Sequence, residues 1–241
     1  MKIEVWSDFV CPFCYIGKRR LEHAMEKFSH RDNIVLEYKS YQLDPTAKHI
    51  PGKDFYQTFS ELKGLPLNQV KAMNGQVGEQ AAAIGLTYNF DTMKYANTFD
   101  AHRAAKFAET KGKGKEITER FLYAYFTESK LMSDHDTLAE LAEEVGLDKE
   151  EVKEVMESNR YAKEVREDIN VAHQIGVRGV PFFVFNEKYA VSGAQPEEVF
   201  HEVLNKVWEE EKDKPIIQEI DIAKNSETSY CTDDGCEIKE K

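Results

Sequence analysis

The chain has 241 residues, 41% of them hydrophobic, and carries a formal net charge of -12 at pH 7. This length and apolar share can bury the core of one or two domains. The negative charge argues against nucleic acid, whose phosphates would be repelled, and no run reaches the roughly 18 apolar residues of a membrane span, so neither partner is expected.

The first six residues, Met1-Lys-Ile-Glu-Val-Trp6, read as a strand and not as a basic segment followed by an apolar one. No secretory leader is visible, and a cytoplasmic location is expected. Ile3 and Val5 alternate with Lys2 and Glu4, and the apolar run through Trp6, Phe9 and Val10 predicts a strand buried at its far end. The period then changes: Leu21, Ala24, Met25 and Phe28 recur at helical spacing among charged residues, which predicts an amphipathic helix opening near Pro12. Cys11 takes the N-cap and Pro12 the first turn, where a missing N–H costs nothing.

Two thiols, Cys11 and Cys14, therefore stand one turn apart at a helix start. Unpaired N–H groups and the positive end of the helix dipole favour the thiolate of Cys11, lowering its pKa from about 8.5 towards the roughly 3.5 to 7.5 range of reactive cysteines. Cys11 is the candidate nucleophile. Cys14, further in and shielded, is the candidate resolving thiol that closes the disulfide and releases a bound partner. The competing reading is half of a zinc site completed by Cys231 and Cys236. No histidine lies within a few residues of either pair, and a strand-to-helix C-P-x-C favours redox use, so no metal is expected.

Residues 33 to 43 alternate Ile34, Leu36, Tyr38 and Ser40 against Val35, Glu37, Lys39 and Tyr41, a half-buried second strand that completes a βαβ unit before Asp44-Pro45. Residues 46 to 68 are mixed. Helical patterns follow over Gln69 to Gly85, Thr92 to Lys111, Ile117 to Glu128, Asp136 to Val145 and Lys149 to Ile175, with caps among Ser133-Asp-His-Asp-Thr137 and at Asp148, and stops at Gly85, Gly112, Gly114 and Gly146. Asn97-Thr-Phe-Asp-Ala-His102 reads first as a helix start capped by Asn97 or Thr98, with His102 a satisfied histidine. Phe121, Tyr123, Tyr125 and Phe126 read as core, with a peptide groove as the other use.

Phe182 to Phe185 is a continuous apolar run with a strand partner, Lys188 to Val191, across Asn186-Glu187; Pro181 belongs at its start. Pro196 opens a helix with Val199, Phe200, Val203, Leu204 and Val207 on one face. From Glu209 the chain holds 11 acidic and 5 basic residues, net -6. Ile216, Ile217, Ile220 and Ile222 are candidates to dock, and Cys231 and Cys236 flank a turn-forming Asp-Asp-Gly, close enough for a disulfide or present as two free thiols.

Three segments carry a family resemblance. Asp8-Phe-Val-Cys-Pro-Phe-Cys-Tyr-Ile-Gly17 resembles the active-site segment of DsbA-like members of the thioredoxin superfamily, specifically the FrnE-like subgroup. Tyr41-Gln-Leu-Asp-Pro45 and Gly176-Val-Arg-Gly-Val-Pro-Phe-Phe-Val184 extend the match. The resemblance implies an α/β thioredoxin-like fold from residues 1–46 and 172–210, a large all-helical insertion at 47–171, and an acidic tail at 211–241. It implies a thiol-disulfide oxidoreductase, disulfide isomerisation included, acting on protein or peptide thiols and disulfides without a bound cofactor, with glutathione as a candidate co-substrate. It also implies a cis Val180-Pro181 bond beside the cysteines, with Val180, Pro181 and Phe13 binding substrate, and a tail pair, Cys231 and Cys236, that exchanges with the main one or docks against it.

Two departures stand out. The buried carboxylate that many relatives carry six residues before the nucleophile is here Val5; Asp8 is the candidate replacement as proton relay, or else a helix cap. Pro12-Phe13 lacks the histidine common between DsbA cysteines, so a less oxidising couple is expected. The alternative activity is a glutathione-dependent isomerase or transferase like the DsbA-fold 2-hydroxychromene-2-carboxylate isomerases, which carry serine where this chain has Cys11.

Overall fold

A computed structural model of the chain describes residues 1–212 and the backbone of two short strands at 230–232 and 235–237. Four strands, β1 (Lys2–Ser7), β2 (Val35–Ser40), β3 (Phe182–Phe185) and β4 (Tyr189–Ser192), form one sheet in the order β2-β1-β3-β4. β2 runs parallel to β1, with Ile3 opposite Leu36 and Val5 opposite Tyr38, while β3 is antiparallel to β1 and β4 to β3. Asn186 and Glu187 turn the β3–β4 hairpin with φ of 50° and 55°, the left-handed pair that a tight two-residue hairpin requires.

Alternation along the strands decides which face is buried against what. Ile3, Val5, Leu36, Tyr38, Phe183, Phe185 and Val191 point to one face, where they meet Leu21 and Ala24 from α1 (Pro12–Glu26), Phe28 just beyond it, and Phe200, Leu204 and Val207 from α9 (Glu197–Glu211). On the other face Trp6, Phe182 and Val184 pack with Ala172 of α8 (Ala162–Gln174) and with Val177. Both outer layers are fixed by apolar stripes visible in the sequence.

Between β2 and β3 the chain is helical: α2 (Phe55–Lys63), α3 (Leu67–Ala82), α4 (Phe99–Thr110), α5 (Gly114–Phe126), α6 (His135–Glu144), α7 (Lys149–Glu157) and α8. Their core joins Phe107, Phe121, Tyr125, Phe126, Leu138 and Val155 to Phe9, Tyr15 and Ile16 beside the cysteines, so the helical layer is continuous with the start of α1.

Several boundaries differ from expectation. The first strand stops at Ser7, because Cys11 N–H donates to the Asp8 carbonyl at 3.1 Å and closes a turn over Phe9 and Val10. The segment read as mixed contains α2, capped by Asp54 at its start and ended by Gly64 at φ 63°, a single short helix between Pro51-Gly52 and Gly64-Leu-Pro66. The helix expected from Thr92 begins only at Phe99, where Asn97 Oδ1 accepts the Phe99 N–H at 2.9 Å.

The pattern over Lys149 to Ile175 is two helices. The buried Arg103 guanidinium takes the carbonyls of Val155, Met156, Ser158 and Arg160, which ends α7, and Tyr161 restarts the chain at φ 60°. Gly114 opens α5 instead of stopping a helix, and Tyr123 is 43% exposed, outside the core that Phe121, Tyr125 and Phe126 share. The helix caps Asp134 and Asp148 are where the sequence put them. In the tail, β5 (Tyr230–Thr232) and β6 (Gly235–Glu237) pair antiparallel with Cys231 opposite Cys236, while the docking expected of Ile216, Ile217, Ile220 and Ile222 lies outside the described residues.

Candidate active site

The turn at Asp8 delivers Cys11 to the N-cap of α1 in extended backbone, φ -88° and ψ 112°, with Pro12 in the first turn and no side chain capping the helix. The sulfur of Cys11 therefore sits at the positive end of the α1 dipole with no competing side-chain cap. Cys14 N–H donates to the Cys11 carbonyl at 3.0 Å, so both cysteines sit on one tight turn, and both are free thiols. Each is buried, Cys11 at 4% and Cys14 at 2% exposure.

Their partners differ. The Cys11 thiol faces the Val180 carbonyl at 3.4 Å, whereas the Cys14 sulfur accepts the Asp8 N–H at 3.5 Å. Burial pushes the Cys14 thiol well above its ordinary range; proximity to Cys11 adds to this, and the Asp8 N–H and Ser7 hydroxyl oppose it. The inner thiol is thus kept protonated until a reaction calls on it.

Val180-Pro181 is cis, as the resemblance implied. The turn is seated on α1 at Gly17, where any β-carbon would meet the Pro181 ring. Phe13, between the cysteines, is exposed, and Tyr88 reaches over to donate its hydroxyl to the Pro12 carbonyl at 2.7 Å.

Asp8 does not cap α1. Its carboxylate, 1% exposed, accepts the Leu43 N–H at 2.7 Å with one oxygen, and the other oxygen lies 3.5 Å from His102 Nε2 without a hydrogen bond of its own. His102 Nε2 is 2.9 Å from the Tyr41 carbonyl, which makes that nitrogen the protonated one. The segments Tyr41–Pro45 and Asn97–His102, singled out separately in the sequence, thus meet at Asp8.

A groove of about 520 Å³ opens from Cys11, Phe13 and Val180 across the helical layer. Most of its wall is apolar, with Leu43, Phe55, Phe59, Leu62, Met73 and Met93, and Asp44 and Lys63 also line it. Tyr125 and Phe126 reach it from α5, so two members of that aromatic set serve both core and groove. A larger hollow of about 960 Å³ lies away from the thiols, an open trough between α1 and α5 in which Lys18 and Arg19 pair with Glu22 and Glu119, and Arg120 pairs with Glu128 and Glu144. Among the described residues no three His, Cys, Asp or Glu side chains are arranged to hold a metal.

A family model described as a DSBA-like thioredoxin domain matches residues 2–205. The chain belongs to the DsbA-like thioredoxin-domain family. A crystal structure of a probable DsbA oxidoreductase, SCO1869 of Streptomyces coelicolor, is 36% identical and superposes with a TM-score of 0.83 over 100% of both chains. The uncharacterised protein YwbO of Bacillus subtilis strain 168 is 28% identical over 208 residues, 84% of this chain and 95% of YwbO. The cytosolic disulfide reductase DsbM of Pseudomonas aeruginosa, solved with GSH, shares 16% identity and a TM-score of 0.56 over 86% of this chain and 98% of its own, a likeness of fold. The α/β thioredoxin-like fold, and an oxidoreductase of thiols and disulfides, follow from membership.

Two contributors escaped the sequence reading. Ser7 drew no notice within the first strand, yet it is buried at that strand's end and opposes the rise in the Cys14 thiol. The α2 and α3 walls of the groove were hidden in the segment read as mixed, although Asp54 before Phe55, Tyr56 and Phe59 is a capped apolar pattern.

Proposed function

We propose that this oxidoreductase works on protein or peptide disulfides through Cys11 and Cys14, with no bound cofactor and with glutathione as a co-substrate that returns the pair to the dithiol. The observation that carries the reading is the Cys11 sulfur at an uncapped helix start, 3.4 Å from the Val180 carbonyl, at the head of an apolar groove. Thiolate attack by Cys11 on a substrate disulfide forms a mixed disulfide and releases one substrate thiolate; Cys14 then attacks Cys11 and releases the other. An extended substrate lies along Val180 and Pro181, its apolar side chains against Phe13 and the groove walls.

Asp8, a groove-lining residue with one buried carboxylate oxygen free of hydrogen bonds, is the proposed relay for the proton of the resolving thiol, Cys14. Cys231 and Cys236, opposite one another in the β5–β6 register, are the proposed second redox pair. A reducing cytoplasm is the proposed setting, in which such a pair cycles as a catalyst; no helix among the described residues is long and apolar enough to cross a membrane. Insulin reduction and reactivation of scrambled ribonuclease, run on the wild type, Cys11→Ser and Cys231→Ser, test the reading. Cys11→Ser is expected to abolish both activities. Retained turnover in that variant overturns the proposal, and loss confined to Cys231→Ser transfers the chemistry to the tail pair.

A further inference from the structure

The stripe by which α3 packs into the helical layer contains one residue that its period does not explain. Val70, Asn74, Val77 and Ala81 recur at the spacing of a buried helix face, and all but Asn74 are apolar. Asn74 is 9% exposed and lines the groove that opens at Cys11. Among the described residues its Nδ2 has no hydrogen-bond partner. An amide held out of water without a partner costs free energy, and asparagine is among the weaker helix formers, so the fold is disfavoured here on two counts. Such a local conflict is expected where binding, and not folding, has set the residue.

Resting on the thiol-exchange reading above, we propose that Asn74 fixes an extended polypeptide in the groove, its Nδ2–H donating to a backbone carbonyl of the substrate segment that flanks the reacting cysteine. The apolar lining from Phe55, Phe59, Leu62 and Met73 takes side chains but cannot hold a chain in register, because apolar contact is non-directional. The charged members of the wall are engaged elsewhere. Asp44 accepts from Tyr95 at 2.7 Å and from Thr46, and the Lys63 ammonium lies 5.7 Å from the centroid of the Phe59 ring. Asp8 keeps an unpaired oxygen, but an ionised carboxylate only accepts and so cannot meet a carbonyl.

Asn74 is neutral and supplies a donor. That matches the carbonyl which every residue of a polypeptide carries, and it offers no charge to an anion. The terminal torsion of asparagine is broad, so the amide turns towards a bound chain at little cost. Filling the groove gives the buried donor its partner, and the free energy withheld from folding appears in binding.

Two points then set the register of the substrate: the disulfide at Cys11, and the carbonyl at Asn74. A disulfide without a peptide chain engages the first alone. The substrate class is therefore a polypeptide disulfide with an extended, apolar flank, in preference to a small disulfide.

The test uses the full-length chain with Cys231 and Cys236 replaced by serine, so that only the main pair reports. Two substrates are compared: a peptide disulfide with an apolar flank, and a small aromatic disulfide that has no peptide group and releases a coloured thiolate. Asn74→Leu keeps the branching of the side chain and removes the amide. It is expected to raise Tm and to lower the preference for the peptide, as the ratio of the two kcat/KM values, roughly tenfold, with the loss in KM. In the parent chain, ester replacement of one peptide bond at a time along the flank weakens a single carbonyl as acceptor. One position is expected to raise KM above its neighbours, and to lose that effect in Asn74→Leu. An unchanged preference in the variant overturns the assignment, as does a fall in Tm with equal losses on both disulfides, which would make the amide a structural group. Should the variant not fold, the ester series in the parent decides, and a series with no sensitive position overturns the pairing. Absence of coloured thiolate from the parent chain would instead undo the thiol-exchange reading itself.

Discussion

Gly17 touches Pro181 through bare backbone: a β-carbon built on it would stand 2.8 Å from Pro181 Cγ and 3.1 Å from Phe183 Cζ. Two effects of opposite sign compete at this position. Alanine in a helix interior is favoured over glycine by about 1 kcal/mol, while forcing a methyl group into a packed contact costs about 1 to 3 kcal/mol. Both neighbours are held by the sheet, so the second effect wins. Gly17→Ala is expected to lower stability in a urea melt and to depress kcat/KM for insulin more than stability alone explains, because the displaced element is the wall facing Cys11.

Cys14→Ser separates capture from release. The hydroxyl cannot displace the mixed disulfide, so the variant is expected to accumulate covalent complexes through Cys11 that a reducing agent dissolves. Non-reducing electrophoresis of the variant incubated with reduced and re-oxidised peptide substrates checks this, with Cys11→Ser as the blank. Failure to trap any partner would detach Cys14 from the release step.

The junction of α1 and α5 gives a pH prediction. Glu119 receives Lys18, Arg19 at 2.7 Å and the Tyr15 hydroxyl at 2.6 Å, and Lys18 is 4% exposed in its side chain. Burial by itself would raise the Glu119 carboxyl, but the charge and hydrogen bond of Lys18, with Tyr15 and Arg19, outweigh it and hold the group below its ordinary range. A carboxylate depressed in the folded state contributes stability that is complete above the unfolded value of about 4.3 and is lost as pH falls through the lower folded value. Glu119→Gln is expected to reduce Tm at pH 7, by about 1 to 3 kcal/mol in stability, and the gap from the wild type should close in acid. A gap of constant size across that range would remove the ion pair as its cause.

The groove predicts a preference for what flanks the substrate cysteine. Leu62, on the wall, is 53% exposed, so Leu62→Asp should fold normally while placing a charge where an apolar side chain docks. The KM for a peptide disulfide with aromatic neighbours is expected to rise roughly tenfold, equivalent to about 1.4 kcal/mol of lost contact, with oxidised glutathione scarcely affected. Equal losses for both substrates would mean that the groove does not contact the flanking residues.

What could be read in advance was local. The start of α1, the cap positions of Cys11, Asp134 and Asp148, and the β3–β4 hairpin all follow from side-chain period and turn chemistry within a few residues, and they stand where the sequence put them. The misreadings came from distance. Helical periodicity over 149–175 says nothing of Arg103, some fifty residues upstream, which terminates α7 by collecting four carbonyls. Asp8 read equally well as cap or relay because its carboxylate is placed by Leu43 and His102, two residues that no local pattern connects to it.

The carbonyl that faces Cys11 belongs to a residue 169 positions later. At synthesis rates of about 5 to 20 residues per second, the thiols leave the ribosome roughly 10 to 30 s before Val180 exists to cover them. Throughout that interval the newborn chain carries its most reactive sulfur unguarded, and whatever small thiols surround the translating ribosome are the first partners it meets.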